Sequence, residues 1–200
     1  VWTVYIPGVT ADYYGGPPTI ADYDGDGFPE IGVAANSSYS VFDTDGTMLW
    51  QQTTQDASSG NTGSAVFDFE GDGIAEAIYP DETRVWAFNG PDGAVKLSST
   101  SHSSNTWTEY AVIADIDNDG TVEIVAINDE KYAEAVSGAT GTTEWVSNAY
   151  ISNTYPHLTV ADLQGDGSPE VIADNAILNG GTGEVLHQFP VSNLIIGRMP

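Results

Sequence analysis

A repeat of 46 to 47 residues constrains the fold of this chain more than any other feature. Four acidic segments, each followed by an apolar run, follow variants of the pattern Asp-x-Asp-x-Asp-Gly-x-x-Glu. They begin at Asp22, Asp68, Asp115 and Asp162, at spacings of 46, 47 and 47 residues. Downstream of each copy a turn glycine recurs, at Gly46, Gly93, Gly141 and Gly183. A fixed period of this length indicates one supersecondary unit repeated in tandem.

Each unit contains four short stretches with strand character. Strands one and two are nearly continuous apolar runs, as at 19–21 and 30–35, which is expected of strands covered on both faces. Strand three alternates, as at 85–88, and a glycine-bearing turn leads to strand four. The chain is therefore predicted to be all-β: a β-propeller with four complete four-stranded blades and partial blades at both ends, part of a larger ring of about seven blades.

The whole of residues 1–200 is predicted to be a single propeller segment. The expected blades are at about 17–53, 63–100, 109–149 and 157–190. Residues 1–8 are expected to be the last strand of a preceding blade, and residues 192–198 the first strand of a following one. Pairing of the two end pieces in a closed four-bladed ring is the alternative.

The acidic segments are predicted to be calcium-binding loops. Side chains at positions 1, 3 and 5 converge when the backbone wraps tightly, position 7 offers its carbonyl oxygen, and the glutamate at position 9 can bind through both oxygens. Six or seven hard oxygens suit calcium better than zinc or copper. The candidate ligands are Asp22, Asp24, Asp26, Phe28 and Glu30; Asp68, Glu70, Asp72, Ile74 and Glu76; Asp115, Asp117, Asp119, Thr121 and Glu123; and Asp162, Gln164, Asp166, Ser168 and Glu170.

The four loops are expected to bind with unequal strength. Loops one (22–30) and three (115–123) have four carboxylates at the expected lengths, loop two (68–76) has the longer Glu70 at position 3, and loop four (162–170) has the neutral Gln164 there. Loop four therefore ranks last, and affinities in the ~10⁻⁴–10⁻³ M range of extracellular modules are expected. Position 6 is always glycine, which allows the left-handed turn that the wrap requires.

Ordinary Asp- and Gly-containing turns are the alternative interpretation of these loops. Against it, 15 of the 29 acidic residues lie in the four loops, where packed carboxylates without a cation repel one another. Four calcium ions would bring the net charge from −25 to −17. The same charge, with only four lysines and arginines, argues against nucleic acid and anionic membranes as partners.

At these loops the chain resembles the FG-GAP, or VCBS, repeat family, which includes the integrin α-subunit propellers. The resemblance covers about residues 17–190; glutamate replaces the family's aspartate at position 9, and the Phe-Gly and Gly-Ala-Pro signatures are poorly kept. It implies an extracellular or cell-surface propeller that uses calcium for structure and acts in adhesion or ligand binding. The recurring segment that runs from the turn glycine into strand four also resembles the Trp-docking motif of quinoprotein propellers, with Trp50 and Trp145 as wedges between blades.

The segments between blades are the candidate ligand-binding surface, at the opposite end from the acidic loops. They contain aromatic side chains among small polar residues, which suits sugar stacking or protein contact. These candidates are Tyr13, Tyr14, Trp107, Tyr110, Tyr155 and His157. Packing of the same rings between blades is the alternative.

No catalytic constellation emerges from the sequence, so an enzyme is not the favoured interpretation. There is no Gly-x-Ser-x-Gly, no phosphate-binding loop and no cysteine, and the abundant carboxylates are explained by metal binding. No apolar run is long enough to insert into a membrane. We expect a non-catalytic calcium-binding module that recognises a glycan or protein, within a longer chain. An accessory part of a polysaccharide-degrading enzyme and a structural module of a surface filament are the alternatives.

Overall fold

The computed structural model of the chain describes residues 2–7, 15–57, 62–99, 110–128, 130–151 and 157–190. Within these ranges the fold consists of sixteen β-strands, and no residue lies in a helix. The strands are β1 (Thr19–Ala21), β2 (Glu30–Ala35), β3 (Ser38–Phe42), β4 (Met48–Thr53), β5 (Ala65–Phe67), β6 (Glu76–Pro80), β7 (Val85–Phe88), β8 (Val95–Ser98), β9 (Val112–Ala114), β10 (Glu123–Ile127), β11 (Ala133–Ser137), β12 (Thr143–Val146), β13 (Leu158–Ala161), β14 (Glu170–Ala173), β15 (Ala176–Asn179) and β16 (Val185–Gln188).

The strands form four separate antiparallel sheets of four strands, each ordered as in the chain. The predicted four-stranded units are thereby confirmed, and we call the sheets blades one to four. A register shift recurs between the third and fourth strands of every blade, as at Val41 and Phe42 in blade one. The extra residue twists the outer strand at the same place in each repeat.

The blades lie side by side in a propeller-like arrangement. Their first strands contact one another in the order β1, β5, β9 and β13, so these strands share one side of the array. The apolar cores lie between neighbouring sheets: one joins blades one and two, a second joins blades two and three, and a third joins blades three and four. Burial on both faces explains why strands such as β6 and β10 are apolar at every position after their first residue, which is a buried glutamate in both.

Indole rings act as wedges between blades, as the sequence predicts for Trp50 and Trp145. Trp50 Nε1 donates to the Gly90 carbonyl of blade two at 2.5 Å, and Trp145 Nε1 donates to the Gly180 carbonyl of blade four at 2.8 Å. Each ring covers a glycine with positive φ, Gly93 or Gly183, where a Cβ atom would lie 2.5 Å from the indole. Only glycine permits so close an approach.

Trp2 precedes blade one and makes the same kind of contact. Its Nε1 donates to the Thr44 carbonyl at 2.6 Å, and its ring covers Gly46. The described residues 2–7 are not assigned to a strand, and the last strand of a preceding blade at residues 1–8 stays a prediction. The predicted strand at 192–198 lies outside the described residues.

The interface between blades two and three differs, because Leu97 occupies the place of the indole. Gly141 of blade three faces Leu97, and a Cβ there would lie 3.4 Å from the leucine Cβ. A groove of about 650 Å³ remains beside Leu97, lined also by Phe67, Phe69 and Gly138. We call this interface the Leu97 seam.

Candidate metal centre

The acidic loops connect strand one to strand two in every blade and lie at one end of the array. Neighbouring loops are hydrogen-bonded to each other, since Ala75 N donates to Asp22 O at 2.9 Å and Asn118 Nδ2 donates to Gly167 O at 2.7 Å. The position-6 glycines have φ between 87° and 90°, as the predicted wrap requires. Position 4 is also left-handed in each loop; in loop three Asn118, with φ 64°, replaces glycine there.

The aspartate at position 1 organises the backbone of its loop. Asp22 accepts the amide hydrogens of Gly25 at 2.7 Å and Gly27 at 2.9 Å. Asp68 and Asp162 accept the corresponding amides. These bonds lower the pKa of both Asp68 and Asp162, with the bond from the position-6 glycine as the first cause.

The glutamate at position 9 is buried in all four loops and is held by one oxygen. Its Oε2 accepts the amide hydrogen of position 2, at 2.7 Å in Glu30, 3.0 Å in Glu76, 3.0 Å in Glu123 and 2.8 Å in Glu170. The second oxygen, Oε1, is therefore the one that can face a ligand. Two-oxygen binding by this glutamate, which the sequence suggests, would have to compete with that backbone bond.

Three loops bring the carboxylates of positions 1, 3 and 9 together. Ligand atoms lie within 4.8 Å of one another in the triads Asp22–Asp24–Glu30, Asp68–Glu70–Glu76 and Asp115–Asp117–Glu123. The position-5 aspartates lie outside these triads, and each caps the amide of position 7, as Asp119 does for Thr121 at 2.7 Å. Ligation by the position-7 carbonyls of Phe28, Ile74, Thr121 and Ser168 stays a prediction.

Loop three contains the carboxylates with the fewest hydrogen-bond partners. Among the described residues, Asp115 Oδ1 and Glu123 Oε1 are both buried and have no hydrogen-bond partner. Water cannot take the place of that partner easily at Glu123, because the residue is only 1% exposed. Burial, with Glu144 and the two aspartates at positions 3 and 5 adding repulsion, raises the pKa of Glu123 to about 7. Buried carboxylate oxygens without a donor call for a ligand, and hard oxygens of this kind fit calcium.

Loops two and four satisfy the same oxygen from within the chain. In loop two, the Lys96 ammonium pairs with Glu70 and lies 3.0 Å from Glu76 Oε1. In loop four, Gln164 Nε2 donates to Glu170 Oε1 at 3.0 Å. Loop four forms no acidic triad, since its position 3 is the neutral Gln164, and the predicted ranking of the loops stays a prediction.

Lys96 and Glu144 are the residues that sequence reasoning missed. Both lie on strand four, directly before the wedge residues Leu97 and Trp145. Loop-by-loop inspection cannot reveal them, because they follow the ends of their loops by 20 and 21 residues. Alignment of the fourth strands of the repeats could have shown that the position before the wedge residue is a lysine in blade two and a glutamate in blade three.

The candidate ligand-binding face is only partly described. Tyr110 is 45% exposed and its ring lies against Gly63, so it partly packs between blades two and three. His157 is exposed and directly precedes β13. Tyr13, Tyr14, Trp107 and Tyr155 lie outside the described residues.

Comparison with known sequences decides the family. The FG-GAP-like repeat matches residues 22–79 and 115–173, which is more than half of the chain. The chain belongs to the FG-GAP-like repeat family. Each matched segment of this FG-GAP-like protein starts at the first ligand position of an acidic loop, in loops one and three, and extends into the second strand of the next blade. Among curated protein sequences, none matches the chain significantly.

Two solved structures, BBS1N and BamB, support the propeller-like fold. BBS1N in complex with ARL6DN aligns with a TM-score of 0.52 at 12% identity over 81% of this chain and 52% of that one. BamB from Moraxella catarrhalis aligns with a TM-score of 0.50 at 15% identity over 93% of this chain and 49% of that one. The V. cholerae biofilm matrix protein Bap1 aligns with a TM-score of 0.47 at 28% identity over 51% of this chain and 17% of that one.

The chain thus spans about half the length of BBS1N and BamB, and a smaller part of Bap1. Within the described ranges, no helix has the length and apolar character needed to cross a membrane.

Proposed function

We propose that this FG-GAP-like chain is a calcium-stabilised propeller module of a secreted or cell-surface protein, with a non-catalytic role in adhesion or recognition. The observation that supports calcium most directly is loop three, where two buried carboxylate oxygens have no donor among the described residues. Asp115, Asp117 and Glu123 would hold the ion there, and Asp22, Asp24 and Glu30 would hold one in loop one. The ion would neutralise carboxylates that otherwise repel one another and so fix the blade end.

The extracellular location is supported by the chemistry of the loops. In loop one both Asp22 oxygens and Glu30 Oε2 accept backbone amides, so a bound ion would share these oxygens with the backbone. Shared oxygens favour affinities in the ~10⁻⁴–10⁻³ M range, which are useful only where calcium is abundant, as outside cells.

The four blades are proposed to be part of a larger ring of about seven. In the described residues, four first strands form one continuous series along one side of the array. Chains of similar fold are about twice as long as the aligned segment. The blade limits 17–53, 63–100, 109–149 and 157–190 belong to this proposal.

Calcium removal tests the structural part of the proposal. We expect chelation to lower the melting temperature, and Glu123→Gln to abolish one bound calcium in equilibrium dialysis. Glu184→Gln is the matched control, because Glu184 is an exposed turn residue that makes the same charge change outside the loops. A melting temperature that is unchanged by chelation would contradict the proposal.

A glycan and protein-ligand screen with the calcium-loaded protein tests recognition. The half-exposed Tyr110 supports a role for the inter-blade face, so Tyr110→Ala should weaken binding of any ligand that the screen finds. Tyr5→Ala is the control, since Tyr5 is 94% exposed elsewhere on the surface. Equal losses in both variants would argue against this face as the binding surface.

A further inference from the structure

The side chain of Lys96, on β8, places its ammonium group at loop two, where a metal ion would be expected. Its ammonium pairs with Glu70 at position 3 and lies 3.0 Å from Glu76 Oε1 at position 9, so it bridges two members of the acidic triad. The Glu76 side chain is only 3% exposed, and that of Lys96 is 23% exposed. The contact is therefore more sheltered than an ordinary surface ion pair, whose effect is small.

The residues that correspond to Lys96 in the other three blades differ from it in charge. Strand pairing aligns the wedge residues Trp50, Leu97, Trp145 and His187, each opposite the middle of strand three. The residue before the wedge is Leu49 in blade one, Lys96 in blade two, Glu144 in blade three and Leu186 in blade four. Blade three thus adds an acid near its loop, where Glu144 acts electrostatically on Glu123, and blade two adds a base.

The residue at this position changes the surroundings of one oxygen, Oε1 of the glutamate at loop position 9. In loop three, Glu123 Oε1 is buried without a partner among the described residues. In loop two, the equivalent Oε1 of Glu76 faces the Lys96 ammonium. A divalent ion at the loop-two triad would have to displace that ammonium and would then lie beside a like charge, which is unfavourable.

We propose that Lys96 is the resident cation of loop two and excludes a divalent ion from it, while loops one and three take calcium. This rests on the proposed function for loops one and three, but not for loop two. Blade two is then neutralised by its own side chain and does not depend on calcium. The predicted calcium site at Asp68, Glu70, Asp72, Ile74 and Glu76 would accordingly be replaced by an internal ion pair.

Calcium stoichiometry of the whole chain tests the proposal. Lys96→Met keeps the length of the side chain and removes its charge, so equilibrium dialysis should find one more bound calcium than in the native protein. Lys96→Arg retains the charge and should bind as the native protein does, as should Lys131→Met. In the native chain, Glu70→Gln should leave the stoichiometry unchanged. Loss of one equivalent in Glu70→Gln would overturn the proposal, because loop two would then hold calcium despite Lys96.

Melting in chelator gives a readout that does not depend on loops one and three. Without calcium, Lys96→Met should melt several degrees below the native protein, because Glu70 and Glu76 lose their only described cationic partner; Lys96→Arg should not. If the native protein binds no calcium at all, the proposed function fails while this comparison still decides the role of Lys96. An unchanged melting temperature for Lys96→Met would overturn the proposal.

Discussion

At the scale of one residue, Glu123 shows how a folded loop can hold a carboxylate of which only one oxygen is hydrogen-bonded. One carboxylate oxygen accepts the Ile116 amide, which fixes the loop, while the other is buried with no donor among the described residues. Ionising such a group is unfavourable, and this is why burial raises the pKa of Glu123 to about 7. A cation would remove that cost.

The stability of the calcium-free protein should therefore depend on pH through Glu123. The folded-state pKa of about 7 lies above the ordinary value of 4.5, so the folded state binds the proton more tightly than the unfolded state. The free energy of unfolding should fall as pH rises from 4.5 to about 7, by up to about 3 kcal/mol from this group. Burial raises the pKa values of Glu30 and Glu76 as well, and these groups act in the same direction.

Denaturant unfolding in chelator at pH 5.5 and pH 8 measures this effect. We expect the native protein to be more stable at the lower pH, and Glu123→Gln to lose much of that difference because its side chain does not titrate. Glu184→Gln should keep it. A native-like pH profile in Glu123→Gln would show that the buried carboxylate is not its source.

The sequence could predict which residues of a loop come together, but not how their oxygens are shared. Positions 1 and 3 converge with the glutamate at position 9, because glycines with positive φ impose the wrap, whereas the aspartates at position 5, which the sequence predicts to converge with them, lie outside the triads. The use of one Glu123 oxygen by a backbone amide, and the capping role of Asp119, depend on distances that spacing does not contain. Lys96 reaches its loop only through strand pairing, so no local pattern reveals it.

At the scale of elements, the blades are held together by one wedge per interface. Trp50 and Trp145 each combine apolar packing with an indole hydrogen bond to a carbonyl of the next blade. The strand ends were predictable to within one or two residues, because turn glycines and apolar runs mark them on both sides. The sequence shows that Leu97 stands where blades one and three have a tryptophan, but it does not show the groove that this smaller side chain leaves.

Exchanging the wedge residues should change stability in opposite directions. Trp50→Leu copies blade two and should cost about 3 kcal/mol, because it leaves a cavity and an unpaired Gly90 carbonyl. Leu97→Trp with Phe69→Ile copies the Trp145 and Ile116 pair of blade three, fills the groove, and should gain about 1 kcal/mol.

Urea unfolding with saturating calcium measures both variants against the native protein. The Phe69→Ile change is included because the Phe69 ring lies over Gly138, where the new indole would need space. Phe69→Ile alone is the control. A cost below about 0.5 kcal/mol for Trp50→Leu, typical of a surface substitution, would contradict the wedge role.

At the scale of the whole molecule, the charge of −25 opposes folding unless it is screened or neutralised. Most carboxylates in the acidic loops are exposed except at position 9, so mobile ions can reach them. Salt and bound calcium should therefore partly replace each other as stabilising agents.

Melting temperature as a function of sodium chloride tests this exchange. Between about 10 mM and 1 M salt the Debye length falls from about 30 Å to about 3 Å, so repulsion between loops is largely removed. We expect a marked rise in the melting temperature of the chelated protein and a smaller rise with calcium bound. Equal rises in both states would show that calcium does not relieve the repulsion.

The Leu97 seam divides the array into two pairs of blades. Each pair keeps its indole wedge inside, Trp50 in one and Trp145 in the other, and each contains one loop in which a side chain pairs with Oε1 of the position-9 glutamate, Lys96 in blade two and Gln164 in blade four. The two family matches, 22–79 and 115–173, likewise each begin in the first blade of a pair and end in the second. A gene duplication or deletion that cut at this seam would break the apolar core that contains Leu97 and leave both tryptophan interfaces intact. A pair of blades is thus the unit that such an array could gain or lose with both indole wedges preserved.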